Sequence, residues 1–196
     1  MELRGKLFTE EEFQTKIHGI SNSSIINYLA DWHITKENSA DIAIKKEKIY
    51  RELCIANPDK FRLIAGAEEF LDYLKSREIP CAIATASDIV NVEFYVDQLD
   101  LRRWFTSDKI VYDDFSFQGK PAPDFYLTAS KRLGLSPGEC VVFEDSPAGL
   151  KSADNAGIGM IIALNASKVT DLKKYSLRID LVIRDFTEIN GALLFE

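Results

Sequence analysis

Val141-Val142-Phe143-Glu144-Asp145-Ser146-Pro147-Ala148-Gly149 runs from an apolar segment, which starts at Cys140, through two adjacent acids into a helix start. The apolar part reads as a buried strand. Ser146-Pro147 offers a side-chain cap and a proline in the first turn, and Gly157 stops the helix. The same texture recurs on both sides. Upstream, Gly66 opens a helix with Ala67, Phe70, Leu71 and Leu74 at i, i+3, i+4 and i+7. Pro80 ends the connection, and Cys81-Ala82-Ile83-Ala84 reads as a short buried strand. Ile89, Val92, Val96 and Leu99 make the next helix face. Lys109-Ile110-Val111-Tyr112 is a further strand, and Pro123-Asp124 starts a helix that ends near Gly134. Downstream, Gly159 to Ala163 and Leu181-Val182-Ile183 complete five strands. Strands alternating with helices predict an α/β fold with a doubly wound, largely parallel sheet. An α+β domain with a mixed sheet is the alternative.

The stretch before Pro58 has a different, helical texture. Phe13, Ile17 and Ile20 recur at helical spacing, as do Ile25, Ile26 and Leu29 behind the capping run Ser21-Asn22-Ser23-Ser24. Ala40 to Ala56 places Ile42, Ile49 and Leu53 roughly on one face, and no convincing strand lies in this part. The chain therefore divides into a helical segment, residues 1–60, and an α/β core, residues 61–196.

At 196 residues, 46% hydrophobic and 28% charged, the chain can bury an ordinary core. A net charge of -7 without a basic run argues against nucleic acid and anionic membrane as partners. Cys54, Cys81 and Cys140 are scattered, and the two histidines are His18 and His33, a composition that makes a zinc site untenable. Unpaired cysteines fit a reducing compartment. Neither a signal-peptide pattern nor a membrane-length apolar run is present. A cytoplasmic protein, monomeric on its own, is the expectation.

Ligands of open α/β sheets bind beyond the carboxyl ends of the strands. Behind Ala84 stand Thr85-Ala86-Ser87-Asp88, hydroxyls and backbone N–H groups that suit an anion, and that serve equally as helix caps. Lys120, in Gly119-Lys120-Pro121-Ala122-Pro123-Asp124, has its backbone stiffened by two prolines. It is placed either to meet a phosphate or as a solvated surface lysine. Glu144 and Asp145 repel one another unless a cation sits between them, and magnesium fits. An acidic first turn favoured by the helix dipole is the other reading.

Taken together and in this order, these motifs resemble the haloacid dehalogenase superfamily, in the branch of β-phosphoglucomutase and phosphoglycolate phosphatase. The resemblance runs from about Phe13 to Ile183. It implies a magnesium-dependent phosphatase acting on a small phosphorylated metabolite, a sugar or polyol phosphate. Thr85 and Lys120 would be catalytic, Ser87 substrate-binding, and Asp145 and Glu144 the Mg2+ ligands. The helical segment would be the family's cap. Within it, Gly19-Ile20-Ser21-Asn22 would be the loop facing substrate, and Lys46 would hold the substrate's far side. Asn22 stands where mutase members carry an arginine, which favours a phosphatase. The alternatives are a β-phosphoglucomutase-like phosphomutase and a non-catalytic relative that binds a ligand or partner. A dehalogenase would not need the paired acids.

Family members begin with a strand ending in Asp-x-Asp, whose first aspartate attacks phosphorus and whose second moves the proton. Nothing before Phe13 supplies it, and Asp180 and Asp185 bracket a strand instead of following one. The expectation is that a central strand, a loop and a cap helix are absent, about two to three dozen residues at usual element lengths. That loss would leave two central strands unpaired and this chain inactive; a shortened version of a complete enzyme is the favoured explanation, and a true non-catalytic relative or a strand supplied by another chain are the others.

Overall fold

The computed structural model of the chain describes residues 2–3, 6–7, 9–20, 24–25, 28, 36–164 and 178–195. It opens with a strand pair that the sequence reading did not anticipate. β1 (Glu2–Leu3) and β2 (Lys6–Leu7) are antiparallel, with Glu2 opposite Leu7 and Leu3 opposite Lys6. Two-residue strands are too short for any hydrophobic period to register.

α1 (Glu10–Lys16) starts on a capping box. The Glu12 N–H donates to Thr9 Oγ1 at 3.1 Å, and the Thr9 N–H donates to Glu12 Oε2 at 3.0 Å. The helix ends at Lys16, so Ile17 and Ile20 do not continue the face of Phe13 as their spacing suggested. Gly19, at φ +71, closes a turn there.

α2 (Lys36–Ala56) corrects the expected apolar face. Ile49 and Leu53 are 46% and 58% exposed, whereas Glu47 and Cys54, two turns apart, are buried. A polar pairing described below selects that face.

The α/β region follows the expected alternation. α3 (Ala67–Ser76) buries Ala67, Phe70 and Leu74. β3 (Ile83–Ala84) leads to α4 (Ile89–Gln98), capped by Asp88, which accepts from the Asn91 N–H at 2.9 Å. β4 (Ile110–Val111) leads to α5 (Asp124–Leu133), which ends on the left-handed Gly134. β5 (Val141–Glu144) runs one residue further than expected and takes Glu144 into the strand. α6 (Pro147–Asn155) has Ser146 as its cap. β6 (Met160–Leu164), β7 (Leu181–Ile183) and α7 (Gly191–Phe195) complete the order.

All pairings among β3 to β7 are parallel, but they form two sheets. One is β3-β4, with Ile83 opposite Ile110; the other is β5-β6-β7, with Glu144 opposite Ala163 and Leu164 opposite Ile183. Among the described residues, β3 pairs only with β4, and β5 only with β6. A cavity of about 640 Å3 lies between the facing edges of β3 and β5. The buried side chains divide accordingly. One cluster joins Leu150, Ala153, Ile158 and Ile161 under β5 and β6. Others join Val92, Leu101, Phe105 and Ile110, and Val111, Phe125 and Ala129, around β3 and β4.

The first cluster carries the stability of the α6 side. Leu150 is fully buried and Leu127 is 43% exposed. Leu150→Ala should therefore cost about 3–5 kcal/mol, the range for a core leucine that leaves a cavity, and Leu127→Ala less than about 1 kcal/mol. Urea denaturation of the two variants beside the parent measures both; equal midpoints would remove Leu150 from the core.

Candidate functional site

Glu144 ends β5 inside the protein, so its carboxylate needs donors. It has five. Oε2 accepts from Lys120 Nζ at 2.6 Å and from the Tyr126 hydroxyl at 2.5 Å. Oε1 accepts from Ser146 Oγ at 2.9 Å, the Ser146 N–H at 3.0 Å and the Asp145 N–H at 3.1 Å. Burial by itself would raise this carboxyl, but the Lys120 ammonium, with the hydroxyls of Tyr126 and Ser146, outweighs it and holds Glu144 well below the usual carboxylate range. Burial, and then the charge of Glu144, push the Tyr126 phenol well above its ordinary value, so it remains a donor.

The surrounding sequence makes room for this group. A Cβ on Gly149 would lie 2.0 Å from the Glu144 carboxyl carbon, so only glycine lets the carboxylate rest against the first turn of α6. Ser146 caps that turn by accepting from the Gly149 N–H at 3.0 Å. α6 also fixes the lysine loop: Ser152 Oγ donates to the Ala122 carbonyl at 2.6 Å, and Asn155 Nδ2 to the Pro121 carbonyl at 2.9 Å. Lys120, 6% exposed, is thus no surface lysine. Its Nζ also donates to the Tyr126 hydroxyl at 3.2 Å and lies 5.0 Å from the centre of that ring.

Asp145 has the opposite setting. Its side chain is 58% exposed, and Oδ2 stands 3.5 Å from His18 Nε2. His18 stacks on Phe13, with ring centroids 5.8 Å apart. The turn behind α1 comes so close to the acidic motif that a Cβ on Gly19 would lie 2.2 Å from Ser146 Oγ. The adjacent acids therefore do not act as a pair. Glu144, expected at a metal, has both oxygens committed to protein donors, and Asp145 alone faces outward.

Thr85 ends the other sheet. Its N–H donates to the Val111 carbonyl at 2.9 Å, and its Oγ1 accepts from the Ser87 N–H at 3.1 Å. Oγ1 thereby shapes the turn, and its proton remains to donate to a ligand. The Ser87 carbonyl accepts from the Asp113 N–H at 2.9 Å. Thr85 directly follows β3, and Lys120, in the loop between β4 and α5, reaches across to Glu144 at the end of β5.

Lys46 pairs with Glu47. Glu47 Oε2 accepts from Asn91 Nδ2 at 2.6 Å, and Asn91 Oδ1 accepts from Arg51 at 2.6 Å. This network ties α2 to the first turn of α4, directly behind Ser87 and Asp88, and it explains which face α2 buries. Asn22 lies outside the described residues. Asp180 and Asp185 are structural: Asp180 accepts from the Ile161 N–H at 2.8 Å, and Asp185 from the Thr187 N–H at 3.0 Å.

Sequence reasoning missed His18, Tyr126 and the Glu47–Asn91 contact. A lone histidine and a tyrosine inside a helix face carry no local signal, and Glu47 and Asn91 are 44 residues apart. Among the described residues, no three His, Cys, Asp or Glu side chains converge on one point. A single outward carboxylate still suits magnesium, which takes one or two carboxylates and completes its shell with water and phosphate oxygens.

Comparison with known proteins agrees with this arrangement. The family model for haloacid dehalogenase-like hydrolases matches residues 3–157. A phosphorylated carbohydrates phosphatase of Thermotoga maritima is 35% identical over 128 residues, which are 63% of this chain and 55% of that protein. The chain thus spans about half of that relative. Hexitol phosphatase A of Escherichia coli is 30% identical over 182 residues, 91% of this chain and 77% of that protein. The crystal structure of a family IA, variant 3 hydrolase of the same superfamily from Entamoeba histolytica superposes with a TM-score of 0.80 at 37% identity, covering 96% of this chain and 83% of the other. With the ordered hydroxyl, lysine and acidic motifs at the ends of parallel strands, this chain belongs to the haloacid dehalogenase-like hydrolases.

Proposed function

We propose that this chain carries the phosphate- and magnesium-binding part of a phosphatase for a small phosphorylated carbohydrate. One observation carries the reading: a buried lysine, fixed by Glu144, stands beside an outward-facing aspartate at the carboxyl end of a parallel sheet. The Thermotoga and Escherichia relatives are phosphatases of phosphorylated carbohydrates and hexitols by name, which supports the substrate class.

In this reading residues 1–60 are a cap over a core of residues 61–196. Thr85 donates its hydroxyl proton to one phosphate oxygen, and Ser87 binds beside it. Lys120 neutralises phosphate charge as the attacking group approaches, an effect greatest in the transition state. Glu144 positions the ammonium and keeps it from swinging away. Lys46 and Asn22, on the cap, hold the substrate's far side, and cap closure excludes water. Asp145 would hold Mg2+, which offsets phosphate charge when bound. Attack on phosphorus calls for a nucleophilic carboxylate. Glu144 is held by five donors, and Asp145 faces His18 and the metal position, so neither fills that role. Neither acid of this motif therefore supplies the attack, and the expectation is that the chain binds without turning over. The free thiols of Cys54, Cys81 and Cys140 fit the cytoplasm.

Two measurements test this. The purified chain should bind Mg2+ in titration calorimetry and should not hydrolyse p-nitrophenyl phosphate. Asp145→Asn should weaken the magnesium isotherm by about tenfold, as for loss of a charged oxygen ligand. Identical isotherms, or turnover that Asp145→Asn abolishes, would refute the assignment.

The Lys120–Glu144 pair gives a second expectation. Lys120→Met leaves a buried carboxylate without its cation and should cost about 3–5 kcal/mol. Lys120→Met combined with Glu144→Gln should recover much of that loss, because no buried charge remains. A double-mutant cycle in urea reads the coupling; additive losses would place the lysine in solvent.

A further inference from the structure

Phe125 and Tyr126 are consecutive aromatic residues in the first turn of α5, and both are buried. Neighbouring positions of a helix point in different directions, and these two rings join different parts of the core. Phe125 packs with Val111 and Ala129 and has its ring centroid 4.8 Å from that of Phe117. Tyr126 packs with Leu150, Ala153 and Ile161. Phenylalanine would serve the packing at either position. What Tyr126 adds is a hydroxyl, and a buried hydroxyl is costly unless it is hydrogen-bonded.

That hydroxyl has two partners, and both belong to the candidate site. It donates to Glu144 Oε2 at 2.5 Å and accepts from Lys120 Nζ at 3.2 Å, while Nζ donates to the same Oε2 at 2.6 Å. The three atoms close a triangle. Contact with Glu144 alone would leave Nζ free to travel on an arc about Oε2. The contact with Tyr126 fixes its place on that arc, and the ring, with its centre 5.0 Å from Nζ, blocks one side of it. The two oxygens are so close to each other that they occupy one side of the ammonium. An ammonium has three protons, and among the described residues Nζ has no further acceptor. The other side therefore keeps protons for a ligand, in a direction that the triangle sets. Ala84, which precedes Thr85, rests against the cluster that holds the Tyr126 ring. One side chain thus belongs both to the packing behind Thr85 and to the polar anchor of Lys120.

We propose that Tyr126 is a positioning residue of the anion site: its hydroxyl fixes the Lys120 ammonium against Glu144 and so aims the remaining N–H donors at a phosphate oxygen. The anchoring rests on the triangle alone; its use for phosphate rests on the reading of Lys120 given above.

Tyr126→Phe keeps the ring and deletes the hydroxyl. Tyr73→Phe deletes a buried hydroxyl that has no hydrogen-bond partner among the described residues, and serves as the control. The full chain would be isotopically labelled at the lysine nitrogens and the ammonium signals followed by NMR. A buried, hydrogen-bonded ammonium exchanges its protons slowly and stays visible where exposed lysines do not; Lys120→Arg identifies the Lys120 signal. In Tyr126→Phe the Lys120 protons should exchange with water about tenfold faster or more, and in Tyr73→Phe at the parent's rate. With Mg2+ present, inorganic phosphate should shift the Lys120 signal of the parent. The Kd for phosphate, from titration calorimetry, should rise about tenfold in Tyr126→Phe, as for the weakening of one hydrogen bond to a charged group, and stay unchanged in Tyr73→Phe. If circular dichroism shows Tyr126→Phe unfolded, the parent decides: the Tyr126 hydroxyl proton and the Lys120 ammonium, whose heavy atoms are 3.2 Å apart, must share a cross-peak. Unchanged exchange in a folded Tyr126→Phe, faster exchange with unchanged phosphate affinity, or an absent cross-peak overturns the proposal. A parent whose Lys120 signal ignores phosphate overturns the phosphate reading of Lys120 and the aiming with it, while the exchange rates still decide the anchoring.

Discussion

The contact between Lys120 and Glu144 organises everything around it. Bringing both charges out of water carries a desolvation cost of several kcal/mol per ion, so the pair persists only where geometry and further hydrogen bonds offset it. Each element nearby supplies part of that offset. α5 contributes the Tyr126 hydroxyl, α6 contributes Ser146 and its first amides, and Gly149 leaves out the side chain that would occupy the same space. The prolines beside Lys120 and the anchors from Ser152 and Asn155 set the lysine's approach. Because Glu144 is consumed inside, Asp145 is the acid presented to solvent. A motif of two adjacent carboxylates thus resolves into one that positions a cation and one that can meet a metal.

The second constraint is the division of the sheet. A parallel strand is stable when its neighbours and both faces are covered. β4 and β6 each complete one side, and α5 and α6 pack on opposite halves, α5 over β3 and β4 and α6 over β5 and β6. The hydrophobic core splits along the same line, with the Leu150 cluster on one side and the Val92 and Val111 clusters on the other. The aromatic contacts of Phe70 with Phe143 and Phe186, at centroid distances of 5.4 and 5.1 Å, tie α3 to β5 and to the segment behind β7.

α2 adds a third link. Its buried face is chosen by Glu47, which the Asn91 amide and Lys46 hold at the start of α4. Asn91 follows the Thr85-to-Asp88 turn, so the helix that carries Lys46 is anchored to the same backbone that shapes the anion-binding loop. A displacement of α2 would pull on that turn, which couples the helical segment to the site through these polar contacts, beside the ring contact of Tyr50 with Tyr95.

How much of this was legible in the sequence depended on whether the deciding contact was local. Apolar runs and helix punctuation at Gly66, Asp88, Ser146 and Gly134 marked the α/β order, because capping and periodicity act within a few residues. The ordered motifs carried Thr85, Lys120 and the acids, since each lies directly behind its strand, and they carried the family resemblance. Other features depended on residues brought together from afar. The exposure of Ile49 and Leu53 follows from a Glu47–Asn91 bond across 44 positions. The unequal fates of Glu144 and Asp145, the place of Tyr126 in the buried pair, and His18 over the acidic motif likewise depend on tertiary packing. The sequence by itself determined the order of strands and helices in the α/β region and which motifs follow those strands. The tertiary structure alone decided which carboxylate is buried, which lysine is desolvated and where the sheet is open, because burial and pairing belong to the space between elements.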